Sequence, residues 1–153
     1  MNAHTPKQAA GWDAKRSKLE TYFDRTAVEA WSRLTSDAPV GRIRATVRAG
    51  RDRMRDTLLD WLPADLRGCR LLDAGCGTGV STDYLCHLNP GSSVLAVDIS
   101  AGALEVARER TRRSGAAKAV RELRIEQRSL LDLAGEGPFD YINSVGVLHH
   151  LRE

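Results

Sequence analysis

Several kinds of protein are excluded by what this sequence does not contain. Across 153 residues no run of 18 apolar residues occurs, so nothing reads as a membrane-crossing helix. Met1 to Ala10 has no apolar stretch of the kind a secretory signal needs, and the protein is expected in the cytoplasm. Cysteines number three, at Cys69, Cys76 and Cys86, without C-x-x-C spacing. That odd, scattered set argues against a disulfide framework and against zinc, and leaves buried, reduced thiols. No other metal is expected, because no third or fourth converging ligand accompanies His149 and His150. Aromatic residues make up 5% of the chain and none falls within the arginine-rich stretch, so the stacking platform that single-stranded nucleic acid would use is missing.

What is present centres on Leu71-Leu72-Asp73-Ala74-Gly75-Cys76-Gly77-Thr78-Gly79. An apolar run breaks there into glycines at every second position, which reads as a buried strand ending in a turn where the backbone can approach a ligand. Thr78 is expected to cap the helix that follows. The spacing D-x-G-x-G-x-G differs from the dinucleotide fingerprint, and no basic side chain in the loop suggests phosphate. Asp98 closes the next apolar run, Ser93 to Val97, where an acid can accept from both hydroxyls of a ribose. Asp73 and Asp98 together call for a ligand with an ammonium group at one end and a ribose at the other.

These residues resemble the class I S-adenosylmethionine-dependent methyltransferases, an α/β, Rossmann-like family. The resemblance implies that Asp73, Ala74, Gly75, Cys76, Gly77 and Gly79 hold the methionine portion of S-adenosyl-L-methionine, and that Asp98 and Ile99 meet the ribose. Ser129 and Leu130, after the third strand, are expected at the adenine. Ser144 belongs to a fourth-motif region, Ser144 to Leu151, similar to that of small-molecule methyltransferases generally.

The polar opening, residues 1–17, is expected to be a mobile leader, followed by an N-terminal helical lid over 18–64. Leu19, Tyr22, Phe23, Val28, Trp31 and Leu34 recur at helical spacing, with one gap of five and a local break expected over Asp24 to Thr26. A turn is expected over Thr35 to Pro39, and a second helix from Val40 to Leu62. Beyond the glycine loop come a helix over Ser81 to Leu88, a second strand over 93–99 and a helix from Ala101 to about Arg113, capped by Ser100 and stopped by Gly115. Strands over Leu123 to Ser129 and Phe139 to Val145 complete a parallel sheet. Residues 65–153 thus read as a partial cofactor-binding domain. The family's strand order is 3-2-1-4-5-7-6; only four strands can be counted here, so either a fragment or a chain whose other half comes from a second chain is expected, with an open edge that invites self-association.

Charge is uneven in a chain of net charge +3: residues 1–68 carry 13 basic and 9 acidic side chains, the remainder 10 and 11. Arg44, Arg48, Arg51 and Arg55 share one helical face, which is either solvated and paired with Asp52, Asp56 and Asp60 or turned toward an acidic substrate. Tyr22 to Ala27, Ala30 to Thr35, Ile43 to Asp52 and Leu62-Pro63 resemble the N-terminal region of the magnesium-protoporphyrin IX O-methyltransferase family. That resemblance implies a porphyrin carboxylate as acceptor, work in chlorophyll or bacteriochlorophyll synthesis, and peripheral contact with photosynthetic membranes. By it Tyr22 lies beside the reacting centre, or else is an aromatic anchor; His150, just past the fourth strand at the carboxyl ends where such sheets bind ligands, either polarises or positions the acceptor or opens a helix as a partly buried residue. Another small-molecule methyltransferase and an inactive cofactor-binding fragment are the alternatives.

Overall fold

The computed structural model describes residues 6–34, 39 and 41–151. The N-terminal part is helical: α1 (Pro6–Thr21), a π-helical turn (Tyr22–Ala27), α2 (Val28–Leu34) and α3 (Arg42–Asp60). The rest alternates: β1 (Arg70–Ala74), α4 (Val80–Leu88), β2 (Ser93–Asp98), α5 (Ala101–Ser114), α6 (Ala116–Ala119), β3 (Glu122–Gln127), a 3-10 turn (Leu130–Asp132), β4 (Tyr141–Asn143) and a second 3-10 turn (Leu148–Leu151).

Four parallel strands lie in the order β3-β2-β1-β4, with Asp73 opposite Ala96 on one side and Asn143 on the other. Strand alternation sends Leu71 and Val94 to one face, where they pack with Leu85, Cys86 and Ala116 of the crossover helices. Leu72, Ala74, Leu95 and Val97 take the opposite face, against Leu130, Leu133 and Phe139. Burial pushes the Cys86 thiol up to about 12, so it stays an inert core thiol. Among the described residues, no helix is long and apolar enough to cross a membrane.

Several boundaries differ from expectation for identifiable reasons. α1 covers Pro6–Thr21, so the described part of the stretch expected to be a mobile leader is helical. The gap of five between Phe23 and Val28 does not break the helix; a π-helical turn absorbs it through its wider i to i+5 spacing. The N-cap of α4 is Gly79, without a side-chain bond, so Thr78 does not cap it. Ser100 does cap α5, accepting from the Ala103 N–H at 3.1 Å, and Gly115 ends that helix at φ 77°. The turn over residues 35–38 lies outside the described residues.

Candidate functional site

Between β1 and α4 the glycines do three different jobs. Gly75, at φ 76°, donates its N–H to the Val97 carbonyl at 2.8 Å, and a Cβ there would stand 2.1 Å from Val147 Cγ2. Glycine at this position therefore lets the segment after β4 close down on the loop. Gly77, at φ 52°, lines the main cavity, and a Cβ on it would meet no protein atom within 4 Å. The loop backbone is thus bare toward open space at Gly77, which is the room a ligand lying on it needs. Gly79 instead allows close helix contact, since its Cβ would come within 2.7 Å of the Ala107 Cβ on α5.

The two acids lie at adjacent strand ends in different states. Asp73 is 2% exposed; Thr82 donates its hydroxyl to one oxygen at 2.6 Å and Asn143 donates its amide to the other at 2.9 Å. Burial raises its carboxyl above the ordinary range, and the bonds from Thr82 and Asn143 pull the other way. Asp73 lines the cavity, yet its nearest partners tie β1 to α4 and β4, so any ligand would share oxygens already engaged. Among the described residues Asp98 accepts main-chain donors, the Gly77 N–H on Oδ2 and the Ser100 N–H on Oδ1, both at 2.9 Å, with the Ile99 N–H in support. The carboxylate's lone-pair sites are not all taken, which leaves room for a hydroxyl donor. Burial raises this carboxyl too, against the bonds from Ser100, Gly77 and Ile99 that lower it.

A cavity of ≈ 760 Å³ stands over the loop, within the range of about 300–1,000 Å³ that small-molecule sites occupy. Asp98, Ile99, Ser129 and Leu130 line it from the strand ends, and Leu19, Tyr22, Phe23 and Val28 from the N-terminal helices. Arg48, Arg51 and Arg55 of α3 supply a basic wall, whereas Arg44 is exposed and away from the lining. Arg55 pairs with Asp52 and Asp56, both at 2.8 Å, and lies 4.0 Å above the Tyr84 ring. Arg48 donates to the Arg33 carbonyl at 2.7 Å. Burial lowers the pKa of Arg51, with Asp52 opposing. The arginine face is thus partly paired with acids, as one expectation had it, and partly turned to the cavity, as the other did. The Phe23 ring bridges Tyr22, at 5.2 Å, and His150, at 5.6 Å, edge to face in both cases.

One cavity therefore gathers Tyr22, Asp73, Gly75, Cys76, Gly77, Asp98, Ile99, Ser129, Leu130 and His150. Three expected residues do not line it. Ala74 points to the other sheet face, Gly79 is taken up by packing on α5, and Ser144 lines a separate apolar groove with Ala74 and Leu130. The Ser144 hydroxyl is buried without a hydrogen-bond partner among the described residues. Asn143, Ser100, Val147 and Arg110, whose Nε donates to the Thr78 carbonyl at 3.0 Å, are functional neighbours that the sequence did not announce. Only Ser100 carried a local signal, its capping position before α5. Among the described residues no cluster of three His, Cys, Asp or Glu could hold a metal.

A family model described as a methyltransferase domain matches residues 72–153, more than half of the chain. The chain belongs to the methyltransferase domain family. Within that family it is 52% identical over 96 residues to the magnesium-protoporphyrin O-methyltransferase of Rhodobacter capsulatus, covering 62% of this chain and 42% of the relative. It is 35% identical over 143 residues to the ubiquinone biosynthesis O-methyltransferase of Methylocella silvestris, covering 86% of this chain and 52% of that one. The crystal structure of magnesium protoporphyrin IX methyltransferase from Synechocystis with bound SAH is similar at a TM-score of 0.80 and 25% identity, covering 89% of this chain and 60% of that chain. The methyltransferase domain described here thus spans between 42% and 60% of the length of these relatives.

Proposed function

We propose that this methyltransferase domain takes part in S-adenosylmethionine-dependent methyl ester formation on a porphyrin propionate, that of magnesium-protoporphyrin IX, in chlorophyll or bacteriochlorophyll synthesis. The fit to the cofactor is physical: a bare backbone at Gly77, an acid with free lone pairs at Asp98, and a second buried acid at Asp73. In this reading Asp98 receives the ribose hydroxyls, with its carboxylate fixed by the Gly77 and Ser100 N–H groups. Asp73 and the loop meet the amino acid end, and Ser129 and Leu130 meet the adenine. When bound, S-adenosylmethionine supplies a methyl group already activated on a sulfonium.

The chain's task is then to hold the acceptor in line and keep water out. A propionate with an ordinary pKa of about 4.3 is ionised at neutral pH, so no general base is required. Arg48 and Arg51 draw the carboxylates into the cavity, while Tyr22, Phe23 and His150 form the aromatic side against which a flat macrocycle packs. The basic wall of α3 facing an acidic floor is the observation that carries this reading, and the Rhodobacter capsulatus relative supports it. The same reading includes a cytoplasmic location, peripheral contact with photosynthetic membranes, and pairing of two chains along the β4 edge, where Ile142 is 64% exposed.

A second reading, O-methylation of another small molecule, is favoured by the Methylocella silvestris relative, which spans more of this chain. The test is methyl transfer to magnesium-protoporphyrin IX by this chain and by one extended to its relatives' length. Formation of a methyl ester is expected. Turnover of a hydroxylated quinone precursor without any porphyrin ester would favour the second reading.

A further inference from the structure

One carboxylate of the N-terminal helices reaches the strand-end floor of the cavity. Asp24 lies in the π-helical turn, and its Oδ1 accepts two hydrogen bonds from the opening of α5, the Ser100 hydroxyl at 2.5 Å and the Gly102 N–H at 3.1 Å. Ser100 also works in two other directions. Its hydroxyl oxygen caps α5 by accepting from the Ala103 N–H, and its own N–H donates to Asp98. A single residue therefore touches, through its main chain, the acid assigned to the ribose and, through its side chain, the acid that seats the N-terminal helices.

Packing imposes the same contact independently. A Cβ on Gly102 would lie 3.4 Å from Val28 Cγ2 and 3.5 Å from Asp24 Oδ1, ordinary contact distances at which a methyl fits and a leucine would crowd the seat. The π-helical turn provides the aim: its widened spacing sets Tyr22, Phe23 and Val28 toward the cavity and Asp24 onto α5 within a few residues.

We infer that Asp24 is a positioning residue, which seats the N-terminal helices on the start of α5 and, through Ser100, links that seat to the ribose end of the cavity so that seating and cofactor binding favour each other. The inference rests on the cofactor reading of Asp98. Its physical basis is charge. Asp24 and Asp98 face the same helix opening as like charges, and hydroxyls donated to Asp98 disperse one of them. A bound diol thereby eases the seating of Asp24, and a seated Asp24 keeps Leu19, Tyr22, Phe23 and Val28 over the cavity.

The test combines calorimetric titration of S-adenosylhomocysteine with tryptic cleavage at Lys15, Lys18 and Arg25 in the full chain, in Asp24→Ala and in Gly102→Leu. In the wild type, saturating S-adenosylhomocysteine slows cleavage at least about fivefold, the low end of ordinary coupling between sites. In both variants that protection falls below about twofold, and affinity drops by the same factor that protection loses, as reciprocity requires. Gly102→Leu keeps the Asp24, Ser100 and Asp98 side chains, crowds only the seat between Asp24 and α5, and adds a better helix former to α5, so the same result there excludes general unfolding. Loss of protection with unchanged affinity would make Asp24 a mere anchor and overturn the inference, and so would full protection in both variants. A wild type that bound no S-adenosylhomocysteine would overturn the cofactor reading, and this inference with it.

Discussion

Between Arg70 and Ser114 the chain buries Leu71, Leu72, Val94, Leu95 and Leu104 almost completely, whereas α3 has no buried residue along its 19 positions. On α3 Ile43 is 83% exposed and Val47 47%, and Trp61, just past its end, is 75% exposed. The strands and crossover helices are held by area removed from water. Among the described residues the N-terminal helices are held by polar attachments, Asp24 on α5, Arg55 on Tyr84, and Arg16 to Asp132 at 3.3 Å, with Leu59 of α3 packed against the core. Attachments of that kind contribute little each and can be released without disturbing the sheet. The difference teaches that the part that would choose the acceptor is separable in energy from the part that would hold the cofactor.

That comparison can be broken or sharpened in four steps. The largest effect is expected from Leu104→Ala, which removes a fully buried side chain and should destabilise by about 2–5 kcal/mol in chemical denaturation. Val47→Ala, its counterpart on α3, should stay within about 0.5 kcal/mol. Equal losses from the two would show that α3 is as deeply built in as the sheet. Next comes Asp98→Ala, which should weaken S-adenosylhomocysteine by about 1–3 kcal/mol through loss of a charged acceptor. Affinity unchanged on titration would remove Asp98 from the site.

Arg51→Glu should weaken porphyrin binding by about 1.5 kcal/mol at low salt, less as salt rises, and leave cofactor affinity alone. Fluorescence quenching by added porphyrin reads the first, and a calorimetric shift in cofactor affinity would contradict the second. The smallest effect is with pH. Asp98 must be ionised to accept two hydroxyls and burial raises its pKa, so S-adenosylhomocysteine affinity should fall as pH drops through a value above the ordinary carboxylate range. Stability of the ligand-free protein runs the other way over that window. The folded form binds more protons at Asp73 and Asp98 than the unfolded form does, so their contribution declines as pH rises from the ordinary carboxylate value through the raised ones. Glu109, held down to about 2 by Arg112 and Arg113, adds the opposite slope, a contribution present above the ordinary range and lost only as pH falls through that value. A titration of affinity flat down to the ordinary carboxylate range would contradict the burial of Asp98.

Legibility in the sequence followed the same division. Apolar runs bounded by turn residues located β1 and β2, because burial on both faces writes a strand as a continuous run, while the alternation of Leu123 to Ser129 located the edge strand β3. The ten lining residues found in advance sit on or beside that pattern, or on the helix just before it. Asn143 escaped because its bond to Asp73 exists only through the register of β4 against β1, which no local pattern encodes. The short α6 escaped for want of a full helical period. The seat of Asp24 on Ser100 joins residues far apart in sequence, and only the unexplained gap of five before Val28 hinted that the helix was wound to deliver it.

The edge contact between Phe23 and His150 has a bearing on assembly. A chain made from its N-terminus presents Phe23 long before β4 and the turn carrying His150 exist, so this one contact closes only after the seat of Asp24 on α5 can already form. Contacts so distant in sequence are slow to close. The side of the cavity that His150 closes therefore depends on a later-made part of the chain, whereas the seat of the first helices on α5 does not.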